Sequence, residues 1–293
     1  TETLWQDLEN VAAGYASEYG IDGMMIDMAH ALPEALTTRI IGRARGINPD
    51  FAFWAEDFSR TADQVRVGFN AVLGGQWACQ HRRIDFTDML SWISRTPELL
   101  PHLATPETHN TPRAVMRPGG ERYSRYAWTV SCFIPGIPFI HSGFELWERR
   151  PVNTGLGFTP EELVLFPAES LPLFSAHALD WNAISAPPAW LRKPLEIRER
   201  YRDCVIPPGA GVFRLLDGGA GQILAFQRSD ASRRRFLIIV SNSDMEHARN
   251  FRVSGISPAP HPTDLLSEVR FSGAPGGMEG ILEPGQVVVF TGS

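Results

Sequence analysis

Gly23-Met24-Met25-Ile26-Asp27 and Phe51-Ala52-Phe53-Trp54-Ala55-Glu56 are two short apolar runs that each end in a carboxylate, and the stretch between them, Pro33 to Gly46, has helical spacing. Apolar runs too short for a helix, separated by a helix, are what a parallel sheet covered by helices demands. The same alternation extends outward. Ahead of the first run, Leu4, Leu8, Val11, Ala12 and Tyr15 recur at helical intervals, with Gly20 as a stop. Pro33 is expected at the first helical position of the second helix. Beyond the second run, Phe69 to Leu73 reads as a strand and Phe86 to Ser94 as a helix. Leu103 to Glu107 is strand-like, Arg122 to Phe133 helical, and Pro138 to His141 a further strand. This makes about five strand–helix units before residue 204.

The pattern changes after Tyr201. An amphipathic helix from Pro188 to Arg202 is followed by the runs Ile223 to Phe226, Phe236 to Val240 and Val287 to Phe290. Gly, Pro, Asn, Asp and Ser separate these runs and no long helical pattern intervenes, which reads as an antiparallel β-sandwich. Pro207-Pro208-Gly209 marks the boundary. The expected division is a barrel portion over residues 1–204 and a β-sandwich over 205–293.

Composition narrows the function. With 293 residues, 43% of them hydrophobic, one large and one small domain are expected. The net charge of −6, with Lys and Arg scattered, lacks the basic stripe that a phosphate backbone requires, so no nucleic-acid partner is expected. Cys79, Cys132 and Cys204 lie far apart, and an odd count at long spacing points to buried reduced thiols rather than to a disulfide framework or a zinc site. The N-terminal residues show neither a basic region nor an apolar run, so a cytoplasmic location is expected. Trp128 to Ile140 is interrupted by Pro135, Gly136 and Pro138, and no membrane partner is expected.

Strand ends carry the chemistry in a parallel α/β barrel. Asp27, Glu56, Glu107-Thr108-His109-Asn110 and His141 to Glu145 all fall at such ends. Two carboxylates on adjacent strands are the minimal equipment for glycosyl transfer: one attacks the anomeric carbon and the other protonates the leaving oxygen. Retention of configuration needs them roughly 5–5.5 Å apart, and neighbouring strands lie about 4.8 Å apart. Asp57 competes with Glu56 for the acid position, and Asn110 has an alternative reading as a simple turn residue before Thr111-Pro112.

These residues resemble the α-amylase family, glycoside hydrolase family 13. Gly23 to Asp27 is similar to its second sequence region, Phe53 to Glu56 to its third, and Glu107 to Asn110 to its fourth. Pro135 to Glu145 is similar to the eighth barrel strand, and the β-rich tail to the family's C-terminal domain. The resemblance implies a partial (β/α)8 TIM barrel, roughly strands 4–8, followed by the sandwich. It implies Asp27 as nucleophile, Glu56 as general acid/base and Asn110 at the third carboxylate position. Met25, His30, Trp54, Glu107 and His109 would contact substrate, with His109 on the sugar next to the scissile bond and His30 toward the leaving-group sugars. Ala55 to Arg60 and Asn110 to Arg113 look most like the maltosyltransferase branches.

The resemblance further implies an α-glucan or maltooligosaccharide substrate and no cofactor. Calcium stays open, because its usual ligands lie largely in a part of the barrel without counterpart here. That part, the N-terminal barrel half, is an implied partner in the same or another chain. Two departures stand out: Met25 replaces an arginine that bonds the nucleophile, and Asn110 replaces a carboxylate. They leave a second reading open, a catalytically impaired barrel that binds glucan or serves as a structural subunit. An unrelated phosphate-binding barrel would need more than Gly74-Gly75 as its phosphate loop.

Overall fold

The computed structural model describes residues 2–58, 63–96, 100–152, 158–167, 169, 177–207, 211–219, 221–256, 261–274 and 276–292. The chain divides into two compact units, Thr1–Gly75 with Glu98–Leu103, and Gln76–Pro97 with Ala104–Ser293.

The first unit runs α1 (Glu2–Tyr19), β1 (Gly23–Ile26), α2 (Glu34–Arg45), β2 (Ala52–Ala55), α3 (Asp63–Val67), β3 (Ala71–Val72) and β4 (His102–Ala104), whose last residue belongs to the second unit. The strands lie side by side in the order β1-β2-β3-β4, all parallel. Phe53 and Ala55 are fully buried in one core with Phe51, Phe69, Val72 and the α2 residues Leu36, Ile40, Ile41 and Ala44. That spacing along α2 is one helical face, as its sequence requires. Met25 and Trp54 pair across the sheet on alternate positions, the register that sets Asp27 level with Glu56. Gly23 is required here, since a Cβ would sit 2.6 Å from the Ala52 carbonyl oxygen.

α1 has two apolar sides. Trp5, Ala12 and Ala16 pack into the core. Leu4, Leu8, Val11, Tyr15 and Tyr19 are exposed and nearly follow the alternating four-and-three spacing of a helix–helix seam. β1 lies at the end of the strand order, paired with β2 alone among the described residues.

The second unit begins with α4 (Gln76–Cys79), α5 (Arg83–Arg95), α6 (Glu121–Phe133), β5 (Gly136–Pro138), α7 (Pro160–Leu165), α8 (Ala189–Arg200) and α9 (Arg202–Val205). Phe139 N–H donates to the Ala104 carbonyl at 3.0 Å, aligning β5 with the end of β4. α6 is buried along most of its length, and the Trp128 indole N–H donates to the Leu191 carbonyl of α8 at 3.0 Å. A four-stranded antiparallel sheet follows, β12-β8-β7-β6, with a three-stranded one, β10-β11-β9. Their ranges are β6 Phe213–Leu216, β7 Ile223–Ser229, β8 Phe236–Asn242, β9 Arg249–Ser254, β10 Ser272–Ala274, β11 Gly277–Leu282 and β12 Val287–Gly292. Ala225, Val240 and Phe290 from one sheet share a core with Phe251, Val253 and Met278 from the other, which is a β-sandwich. The three cysteines are buried thiols outside any disulfide among the described residues.

Parallel α/β sheet followed by antiparallel sheets is therefore the architecture the sequence pattern implied. Several boundaries moved. β4 stops at Ala104, so Glu107 lies in a loop, and β5 covers 136–138 rather than 138–141. Pro33 is the cap residue before α2 rather than its first helical residue. Ser59, Arg60, Pro208 and Gly209, which carried part of the branch and boundary readings, lie outside the described residues.

Candidate active site

Asp27 and Glu56 follow directly on the last residues of β1 and β2. Glu56 N–H donates to the Ile26 carbonyl at 2.9 Å, carrying the ladder one step past the strands. The two carboxyl groups are hydrogen-bonded to each other. Such a bond requires one proton between them. Glu56 is only 7% exposed, whereas Asp27 is exposed. The bond to Asp27, reinforced by burial, holds the Glu56 carboxyl above the usual carboxylate range, against the opposing pull of the Met28 N–H. The two carboxyl groups therefore sit in different environments, one buried and one exposed, which is the kind of difference that separates a proton donor from a nucleophile.

Around this pair the first unit gathers three more of the expected residues. Met25 is 47% exposed, and Trp54 is half-buried beside it in register. His30 Nδ1 lies 3.3 Å from the Glu56 carbonyl oxygen. A carbonyl only accepts, so Nδ1 carries a hydrogen in this contact.

Asp57, the rival acid, is buried and its carboxylate accepts from Gln64 Nε2 at 2.7 Å. His102 on β4 is also buried, which pushes its pKa down to about 4, so it is neutral at pH 7. Gly74 turns at φ +62° against this histidine, and an added Cβ would meet Nδ1 at 2.2 Å. Gly74→Ala is therefore expected to cost roughly 2–4 kcal/mol, from the left-handed backbone plus the clash, read as a lower midpoint in urea. Neither Gln64 nor His102 is marked by its sequence surroundings.

In the second unit Glu107 takes a different role from the substrate contact expected of it. It is 1% exposed, and its oxygens accept from Arg113 Nη1 and from Ala114 N–H, each at 2.6 Å. Arg113, equally buried, also donates to the carbonyls of Ser142 and Arg150 at 2.9 Å and lies 2.8 Å from His141 Nδ1. Glu107 thus ties one loop to another and offers no free carboxylate. Asn110 is buried in a turn closed by Thr108 and Thr111, while His109 is exposed. Trp147 stacks on Trp190 at 4.5 Å and Trp77 is buried, so both serve packing. Among the described residues, no group of three or more His, Cys, Asp and Glu is placed to hold a metal ion, and no helix is long and apolar enough to cross a membrane.

Solved structures match this architecture over nearly the whole chain. An α-amylase from Geobacillus thermoleovorans, in complex with acarbose, matches 99% of the chain with a TM-score of 0.72 at 13% identity. The fold is that of the α-amylases. An Anoxybacillus α-amylase (TM-score 0.68, 14% identity) and the maltogenic α-amylase AmyB of Thermotoga neapolitana (TM-score 0.68, 13% identity) likewise match 99% of the chain. The chain spans 63%, 64% and 66% of the Anoxybacillus, Geobacillus and Thermotoga amylases, so it corresponds to part of an amylase fold. No protein-family model and no curated protein matches the sequence.

Proposed function

We propose that the chain carries the carboxylate pair of a retaining α-glucan hydrolase or glucanotransferase. Asp27 attacks the anomeric carbon while Glu56 gives its proton to the departing glycosidic oxygen, leaving a glycosyl ester on Asp27. Glu56, now ionised, takes a proton from water or from an acceptor hydroxyl as that oxygen attacks the anomeric carbon, breaking its bond to the Asp27 oxygen and releasing the Asp27 carboxylate. The pair set level at the ends of β1 and β2, with Glu56 the buried member and raised above the usual carboxylate range, supports this reading. His30 stands beside Glu56 within the same unit, and the substrates are of the α-1,4-glucan class.

The exposed seam of α1 and the edge position of β1 support a further βα layer seated there, which would complete a barrel like that of the longer relatives. A second reading, glucan binding without turnover, draws on Met25, which leaves Asp27 without an arginine, and on the uncharged Asn110. Incubating the protein with maltooligosaccharides separates the two. New chain lengths on chromatography, absent with Glu56→Gln, are expected; retention on a glucan column without any new chain length would establish the second reading instead.

A further inference from the structure

Three consecutive residues clasp Glu56. Met28 N–H donates to Glu56 Oε2 at 2.8 Å, Ala29 N–H donates to the Glu56 carbonyl at 3.1 Å, and His30 Nδ1 meets the same carbonyl at 3.3 Å. The convergence depends on Met28 standing at φ 45°, ψ 42°, in the left-handed region, immediately before the 3-10 turn Ala29–Ala31. A left-handed residue followed by a right-handed one turns successive N–H groups toward the same side, forming a small concavity for an acceptor. A non-glycine side chain occupies that region against steric opposition, and such residues persist where the surroundings over-determine them, often beside reacting groups. Met28 is also 53% exposed, so packing of its side chain does not account for the conformation.

We infer that Met28 is a positioning residue for the acid/base group: its left-handed backbone aims one N–H at Glu56 Oε2 and thereby directs the transferable proton to Oε1. The inference rests on the reading of Glu56 as acid/base. An oxygen that accepts an amide N–H is the carbonyl-like member of a carboxyl group, so the hydrogen belongs on its neighbour. The same N–H favours the ionised form, so it tempers the upward pull of Asp27 and burial and eases proton release. The charged groups facing Glu56 are Asp27, after β1, and His30, in the 3-10 turn. Asp57 is engaged by Gln64, and His102 on β4 lies in the field of Asp57.

The test removes the N–H and keeps the side chain. The α-hydroxy analogue of methionine at position 28 converts that amide to an ester, and the Glu56 carboxyl is titrated by carbon-13 NMR. Glu56 is expected to bind its proton roughly tenfold more tightly, as loss of one hydrogen bond to an ionised group implies. Met28→Val, which resists the left-handed region, shifts the same way, and Met28→Gly keeps the wild-type titration. Maltooligosaccharide turnover in the ester form falls about tenfold. Turnover of α-maltosyl fluoride, whose leaving group departs without full protonation, falls much less; a purely structural lesion slows both alike. An unchanged Glu56 titration in the ester form overturns the inference even if the wild-type protein is active. A shifted titration in a protein that turns over neither substrate leaves the positioning intact and removes the glycosyl-transfer reading.

Discussion

Asp27→Asn is expected to abolish maltooligosaccharide turnover, by at least about 10³-fold, while making the protein more stable at neutral pH. The loss follows from removing the proposed nucleophile beside Glu56, an effect of the size seen when one essential member of a catalytic group is deleted. The gain follows from the shared proton. Because Glu56 in the folded protein holds its proton above the usual carboxylate range, the favourable pairing is complete below that range. It is lost as pH rises through the raised value, where two adjoining carboxylates must both ionise. Asparagine removes the second charge. The melting temperature of Asp27→Asn should therefore exceed that of the wild type by roughly 2–4 °C near pH 8, the shift that ~1 kcal/mol produces in a chain of this size. The difference should vanish near pH 4. Equal melting temperatures at both pH values would sink the shared-proton account.

The second large effect lies away from the reacting centre. Arg113→Ala strips the cation from Glu107 where both side chains are 1% exposed. Breaking such a pair from one side typically costs about 3–5 kcal/mol, because the remaining charge is left in a poorly solvated place. Here the carbonyls of Ser142 and Arg150 lose their donor too. A melting temperature lower by roughly 10 °C is expected, with Arg113→Lys recovering little, since one ammonium cannot span acceptors arranged for a planar fork. Arg113→Met with Glu107→Leu should recover a large part of the loss, as apolar replacement of both partners often does. A single alanine variant melting within 2 °C of wild type, a shift worth under ~1 kcal/mol, would show that water reaches Glu107 after all.

How much of this was legible from residue order depended on which physical signal each feature uses. The parallel sheet was legible because short apolar runs buried on one face and flanked by helices leave a direct compositional trace. Asp27 and Glu56 were legible for the same reason, each being the first polar residue after such a run. The end of β4 was not, because Thr105 is buried and hydrogen-bonded by side chains and so continues the run beyond the ladder. Gln76 and Gln80 look like solvent residues in the sequence. Yet Gln76 Oε1 accepts from Thr105 N–H at 2.9 Å, and Gln80 Nε2 donates to the Ala127 carbonyl at 2.7 Å, both from buried positions. Nothing local marks them, since their partners are distant in sequence. The turn at Met28 was hidden by propensity, which would have placed glycine or asparagine there. The reassignment of Glu107 from sugar contact to ion pair depended on Arg113, a loop residue whose sequence neighbours carry no sign of burial.

α1 bears oily side chains on two sides, and that gives the chain a built-in response to the medium. Ammonium sulfate and similar excluded salts strengthen apolar association, so Leu8, Val11 and Tyr15 should draw chains together under conditions in which an ordinary acidic protein stays dispersed. Light scattering across a sulfate series would reveal this, and a charged residue at position 8 should shift the onset to higher salt.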